Sequence, residues 1–146
     1  MSRRAGTAAR LLVALVALFA LGGLGATPAA AGGSRAVVII DTGSATYTRV
    51  ISFSGTISGY DALVLAGASP ETDVYAGEGI AICRLFGVGN DSGCRGSGSD
   101  TRYWAYFRAP GGGGPWQYSR GGAGSSSVSD GDVEGWRFGQ GNAPAF

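Results

Sequence analysis

The sequence predicts an α+β domain, a mixed sheet of about five strands packed on one short helix and preceded by a signal peptide. Three observations predict it. Runs of β-branched and aromatic residues with period two recur from Ser34 onwards. One stretch near Leu63 has helical spacing between recognisable caps. The first 31 residues have the pattern of an export signal. Strands in runs with a single helix favour a sheet covered on one face by that helix.

The leader is MSRRAGTAARLLVALVALFALGGLGATPAAA. Arg3, Arg4 and Arg10 precede an apolar run from Leu11 to Leu21, and Ala29-Ala30-Ala31 supplies small residues at the cleavage positions. That run is well short of the roughly 20 residues a spanning helix needs, so a signal peptide is expected rather than an anchor. Arg3-Arg4 is not followed by the Phe-Leu-Lys of twin-arginine export, which leaves ordinary secretion. Cleavage after Ala31 gives one secreted domain, residues 32–146, with no stable membrane span after cleavage.

SRAVVII, from Ser34, is continuous and β-branched and reads as a strand. DTGSAT is a turn. In YTRVISFSG, Tyr47, Arg49, Ile51 and Phe53 alternate with smaller residues, so the first two elements form a hairpin. SGYDALVLAGASP is the helix. Ser58 is its N-cap, Asp61 favours the positive end, Gly67 suits the C-terminal cap and Pro70 stops it. Ile80 to about Phe86 is a third strand, followed by the glycine- and serine-rich loop NDSGCRGSGSD. TRYWAYFR and WQYS are further strands, Ser125–Val128 adds edge pairing, and DGDVEGWRFG turns into the last strand. This is the β-grasp arrangement in outline, with an all-β sandwich as the alternative.

Charge and composition exclude several functions. Every basic residue is Arg, and there is no Lys or His. The exported part holds eight arginines against ten acidic residues, without the basic excess that nucleic acid attracts. Without His, the commonest general base and metal ligand is absent. Ser125, Ser126 and Ser127 therefore lack a base, and no enzyme is expected. Asp130, Asp132 and Glu134 alternate and offer oxygen ligands for calcium, but a polar turn entering a strand is the favoured reading. Cys83 and Cys94 lie in the exported part, where a disulfide persists.

The stretch YWAYFRAPGGGGPWQYS sets two aromatic runs around four glycines. Trp104 and Tyr106 share one strand face, Tyr103 and Phe107 the other, and Trp116 and Tyr118 share a face of the next strand. A loop over residues 109–114 lets the two strands pair through their aromatics. Both faces of YWAYF carry rings, so one packs under the helix and the other is left for a loop, a partner or a ligand.

From Ser54 to Gly139 the chain resembles the C-terminal domain of transcobalamin and intrinsic factor and its bacterial relatives. The resemblance is carried by SGTISGYDALVLAG, YWAYFR and DGDVEGWRFG in that order. It implies a β-grasp fold and a secreted ligand-binding module, with Trp104, Tyr106 and Trp136 at the family's aromatic positions. In transcobalamin the domain closes over one side of a cobalamin held by a separate α-helical barrel, for which a domain of this size has no room. The family's usual Asn-Gly turn is replaced here by APGGGG. The expected ligand site comprises Tyr103, Trp104, Tyr106, Trp116, Tyr118 and Trp136, with Arg102, Arg108 and Arg137 as donors at its edges. The resemblance implies a corrinoid (cobalamin) ligand, bound together with an envelope or transport protein. No cofactor or metal is expected. The alternative is a cell-envelope domain that binds another protein and no small molecule.

Overall fold

Val37 to Ile40 is a β-branched run with no polar interruption, and such a run is suited to a strand buried on both faces. In the computed structural model it lies in β1 (Ser34–Asp41). The structure describes residues 33–76 and 79–146, within one compact unit, Gly32–Phe146. The expected signal peptide lies outside the described residues.

β1 turns into β2 (Thr46–Phe53) and pairs with it antiparallel, Ser34 opposite Phe53 and Asp41 opposite Thr46. Side chains close the turn. Thr42 Oγ1 accepts the Ala45 N–H at 3.0 Å, and Asp41 accepts the Gly43 N–H at 2.8 Å, with Gly43 at φ 84°. Helix α1 (Gly59–Leu65) follows, as expected from its caps. Ser58 Oγ accepts the Asp61 N–H, and Asp61 reaches back to the Ser58 N–H, a reciprocal capping box. Gly67, at φ 72°, ends it in the left-handed conformation. At seven residues α1 needs packing to persist. Ala62 and Leu63 supply it, buried with Val38, Ile40 and Ile51.

β6 (Tyr103–Ala109), β7 (Gln117–Tyr118) and β8 (Val133–Gly139) complete the first sheet, in the order β2-β1-β8-β6-β7. β8 runs parallel to β1 and antiparallel to β6, so the first and last strands lie side by side at the centre. Ser125–Val128 contributes one bridge, Val128 to Ile57.

A second sheet, absent from the sequence reading, contains β3 (Glu71–Tyr75), β4 (Gly79–Leu85) and β5 (Val88–Gly89). β3 was invisible because ETDVY buries no residue, so it carries no hydrophobic alternation and is held by backbone pairing to β4. Ile82 and Leu85 of β4 join the core under α1. Cys83 and Cys94 form the expected disulfide, tying β4 to the following loop. Closing a loop of this length should stabilise the fold by about 3 kcal/mol. The double variant Cys83→Ser/Cys94→Ser should show that loss in urea denaturation, and reductant should lower the wild type to the same value.

The sheet face opposite α1 is covered by the chain itself. Trp116 packs with Ile39, Ala109 and Val133 and stacks on Phe146, ring centroids 4.3 Å apart. Gly135 is required beneath it, since a Cβ there would lie 2.6 Å from the indole and 2.9 Å from Pro144. Arg137 holds the returning tail by donating to the Ala143 carbonyl at 2.9 Å. No helix among the described residues is long and apolar enough to cross a membrane.

Candidate binding cavity

β7 pairs only with Phe107 and Arg108 of β6. Along Tyr103–Tyr106, β6 therefore has no strand neighbour on that side among the described residues. Leaving β7, the chain is fastened once more to β6 by Ser119 N–H to the Tyr106 carbonyl, 2.8 Å. It then crosses through Gly121 and Gly122 to α1, where Tyr60 N–H meets the Ala123 carbonyl at 3.0 Å. Between this crossing, the bare stretch of β6 and strand β4 lies a cavity of about 640 Å³.

Its inner wall is aromatic. Trp104, Tyr106 and Trp136 line it and are themselves buried, with Ile80 and Ile82 of β4 also contributing. Tyr106 stacks flat on Trp136, centroids 4.1 Å apart at 6°. Trp104 is fixed by its indole N–H, which donates to the Val88 carbonyl at 3.0 Å, and by Phe138 at 5.5 Å. The buried indole N–H of Trp136 has no hydrogen-bond partner among the described residues. More exposed groups line the same cavity: Tyr75, Tyr103, Tyr118, Arg95 and Arg120. The Arg95 guanidinium lies over the Tyr75 ring, 4.3 Å from its centroid. Burial and a hydrogen bond with Tyr103 push the Tyr118 hydroxyl up to about 12.

Behind the aromatic wall sits a polar cluster. Glu134 is fully buried, accepts the Tyr106 hydroxyl through Oε2 and meets Arg108 Nε at 3.3 Å. Ser126 Oγ lies 3.0 Å from the Tyr106 hydroxyl and accepts the Gly59 N–H at 3.1 Å. A Cβ on Gly59 would come within 2.7 Å of both hydroxyl oxygens, which is why α1 begins with glycine. Asp132 accepts the Gly111 and Ser129 N–H groups, each at 2.8 Å, and stands 3.6 Å from Arg108. Burial raises the Glu134 carboxyl above its ordinary range, against the opposing pull of Tyr106 and Arg108. Burial and the neighbouring carboxylate raise the Tyr106 hydroxyl as well. Burial opposes the charge on Arg108, but Glu134, Tyr106 and Asp132 outweigh it and hold the guanidinium protonated. The cluster locks Tyr106 in place as a hydrogen-bond donor facing away from solvent.

The structure thus divides the residues singled out in the sequence. Tyr103, Trp104, Tyr106, Tyr118 and Trp136 converge on the cavity. Trp116 lies on the opposite sheet face. The three arginines expected at the edges are engaged elsewhere. Arg102 forms a two-pronged pair with Asp100, whose carboxyl that pairing holds down at about 2. Arg108 serves Glu134 and Asp132, and Arg137 meets Asp41 at 3.3 Å. Asp130, Asp132 and Glu134 are likewise committed to protein partners, Asp130 accepting the Arg35 N–H at 2.7 Å. The cations that line the cavity, Arg95 and Arg120, were not singled out. For Arg95 there was a signal, because the Cys83–Cys94 bridge brings the residue after Cys94 to β4.

A second, more polar cavity of about 450 Å³ is lined by Arg108, Gln117 and Ser125–Ser127, and it shares Tyr118 and Arg120 with the first. No curated protein matches the chain. The family model of the SCO2322-like domain matches residues 97–145, a span that includes β6, β7, β8, the polar cluster's Tyr106, Arg108 and Glu134, and Arg120.

Proposed function

We propose that this chain is an exported, non-catalytic binding module of β-grasp type that takes its ligand in the aromatic cavity and acts together with a partner protein. The strand order, with first and last strands parallel at the centre and α1 across one face, supports the β-grasp assignment. The disulfide supports an oxidising compartment. The observation that carries the binding reading is the cavity beside Trp104, of the size that small-molecule sites have, with an aromatic inner wall and polar groups around it.

A corrinoid is the ligand implied by the resemblance to the transcobalamin C-terminal domain. A cavity of about 640 Å³ accommodates one edge of so large a ring, and the partner would cover the remainder. Isothermal titration with cyanocobalamin tests this. One-to-one binding is expected, weakened about tenfold in the double variant Tyr75→Ala/Tyr118→Ala, a loss of roughly 1.4 kcal/mol. No heat from the folded protein would reject the corrinoid.

The bare edge of β6 favours a second reading, a cell-envelope domain that pairs through that edge with a strand of another protein. In that case the titration stays flat while an envelope protein co-purifies with the domain.

A further inference from the structure

The cavity combines a wall of aromatic and aliphatic side chains with arginine at its rim. None of the described residues that line it is Asp or Glu, whereas two arginines do line it, Arg95, engaged over the Tyr75 ring, and Arg120. Arg120 stands apart from the arginines that serve the fold. Arg84, Arg102, Arg108 and Arg137 each meet a carboxylate, but Arg120 is exposed and forms no ion pair among the described residues. It also sits where the two cavities adjoin, on the short crossing that separates them.

We propose that the cavity selects an anionic ligand: a flat apolar body against Trp104, Ile80 and Ile82, bearing a carboxylate, phosphate or sulfonate that Arg120 receives at the rim. This rests on the reading of the cavity as the binding site and adds the charge of what it takes. A guanidinium offers its donors in a planar fork that matches such oxyanions, and it is less costly to desolvate than an ammonium. An uncommitted cation beside a low-dielectric wall favours anions even though residues 32–146 hold eight arginines against ten acidic residues. The aromatic wall supplies rigid apolar area and leaves orientation to the polar rim.

Two fluorescent probes with the same aromatic skeleton isolate the claim. Anilinonaphthalene sulfonate carries the anionic group, and phenylnaphthylamine lacks it. The wild type should bind the sulfonate one-to-one, about tenfold more tightly than the neutral probe. Arg120→Gln should remove that difference and leave the affinity for the neutral probe unchanged, and Arg120→Lys should keep part of it. Ile80→Gln, which makes the wall polar, should weaken both probes. Arg49→Gln, on the exposed strand β2, should weaken neither.

Equal affinity for the two probes, with both sensitive to Ile80→Gln, would overturn the anion preference and leave the binding cavity standing. Loss of sulfonate binding in Arg49→Gln as large as in Arg120→Gln would also overturn it, by showing diffuse attraction to surface arginines. Failure of both probes to bind would remove the cavity as a small-molecule site, and this inference with it. Thermal melts of each variant establish that it is folded before its affinity is compared.

Discussion

Glu134→Ala should destabilise the domain by about 3–5 kcal/mol, because removing one member of a buried, hydrogen-bonded charge pair strands the others. Glu134 is fully buried and takes up both the Tyr106 hydroxyl and Arg108 Nε. Without it the Tyr106 donor keeps, among the described residues, only Ser126 Oγ, which already serves Gly59. Arg108 keeps Asp132 at 3.6 Å, and that places the loss toward the lower end of the range. Glu134→Gln should cost less, about 1–3 kcal/mol, since the amide still accepts from Tyr106. The two variants also separate in their pH dependence. Burial raises the folded carboxyl above its ordinary value of 4.5. The folded state then holds a proton that the unfolded chain releases, so this contribution is fully present below 4.5 and is lost as pH rises toward the folded pKa. Urea midpoints measured upward from pH 4 should fall through that window in the wild type more steeply than in Glu134→Gln. A loss under 1 kcal/mol in Glu134→Ala would show that the cluster does not hold the sheet.

The parts of the fold that were legible are those whose signals are local. Ser58, Asp61, Gly67 and Pro70 fix α1 within a few residues of one another, and the capping box forms as that spacing dictates. β1 and β2 were legible from β-branched runs around a turn whose own side chains close it. β3 was not, because Glu71–Tyr75 exposes its side chains and owes its conformation to backbone pairing with β4. The cover on the second sheet face was not legible either. Trp116 lies there because Gly135 and Pro144, far along the chain, leave a space shaped for an indole.

The same distinction runs through the site. Residue type identified five of the lining aromatics, since large rings on both faces of β6 must find contacts. Their side of the sheet was another matter. Of the face left for a loop, a partner or a ligand, Trp116 covers Ile39, Ala109 and Val133, Phe107 meets Tyr118 edge-on, and Tyr103 lines the cavity, which opens where β7 is too short to cover β6. Arginines next to the aromatic strands looked like ligand donors, yet Arg102, Arg108 and Arg137 meet Asp100, Glu134 and Asp41. A carboxylate brought by the fold beside a cation decides whether that cation is free, and pairs such as Asp41 with Arg137 join residues distant in sequence.

Trp104→Ala should cost about 3–5 kcal/mol, the range for truncating a buried tryptophan. Trp104 packs in the main core against Phe138 and donates its indole N–H to the Val88 carbonyl, so it joins the first sheet to β5 of the second. The conservative variants separate packing from that bond. Trp104→Phe keeps a ring but leaves the Val88 carbonyl without its donor, adding about 1–3 kcal/mol to the loss of volume. Trp136→Phe removes an indole N–H that has no partner among the described residues, so only volume is lost and the penalty should be smaller. Both rings line the cavity and both are nearly fully buried, which makes the comparison one of hydrogen bonding rather than exposure. Urea denaturation of the two phenylalanine variants decides it. Equal losses would mean that the Val88 bond adds nothing and that the second sheet is held over the cavity by packing and its other ties, such as Phe86 N–H to the Ala68 carbonyl at 2.8 Å. A larger loss in Trp104→Phe would identify the indole as the tie that fixes β5 beside the cavity wall, and the cavity as dependent on it for its shape.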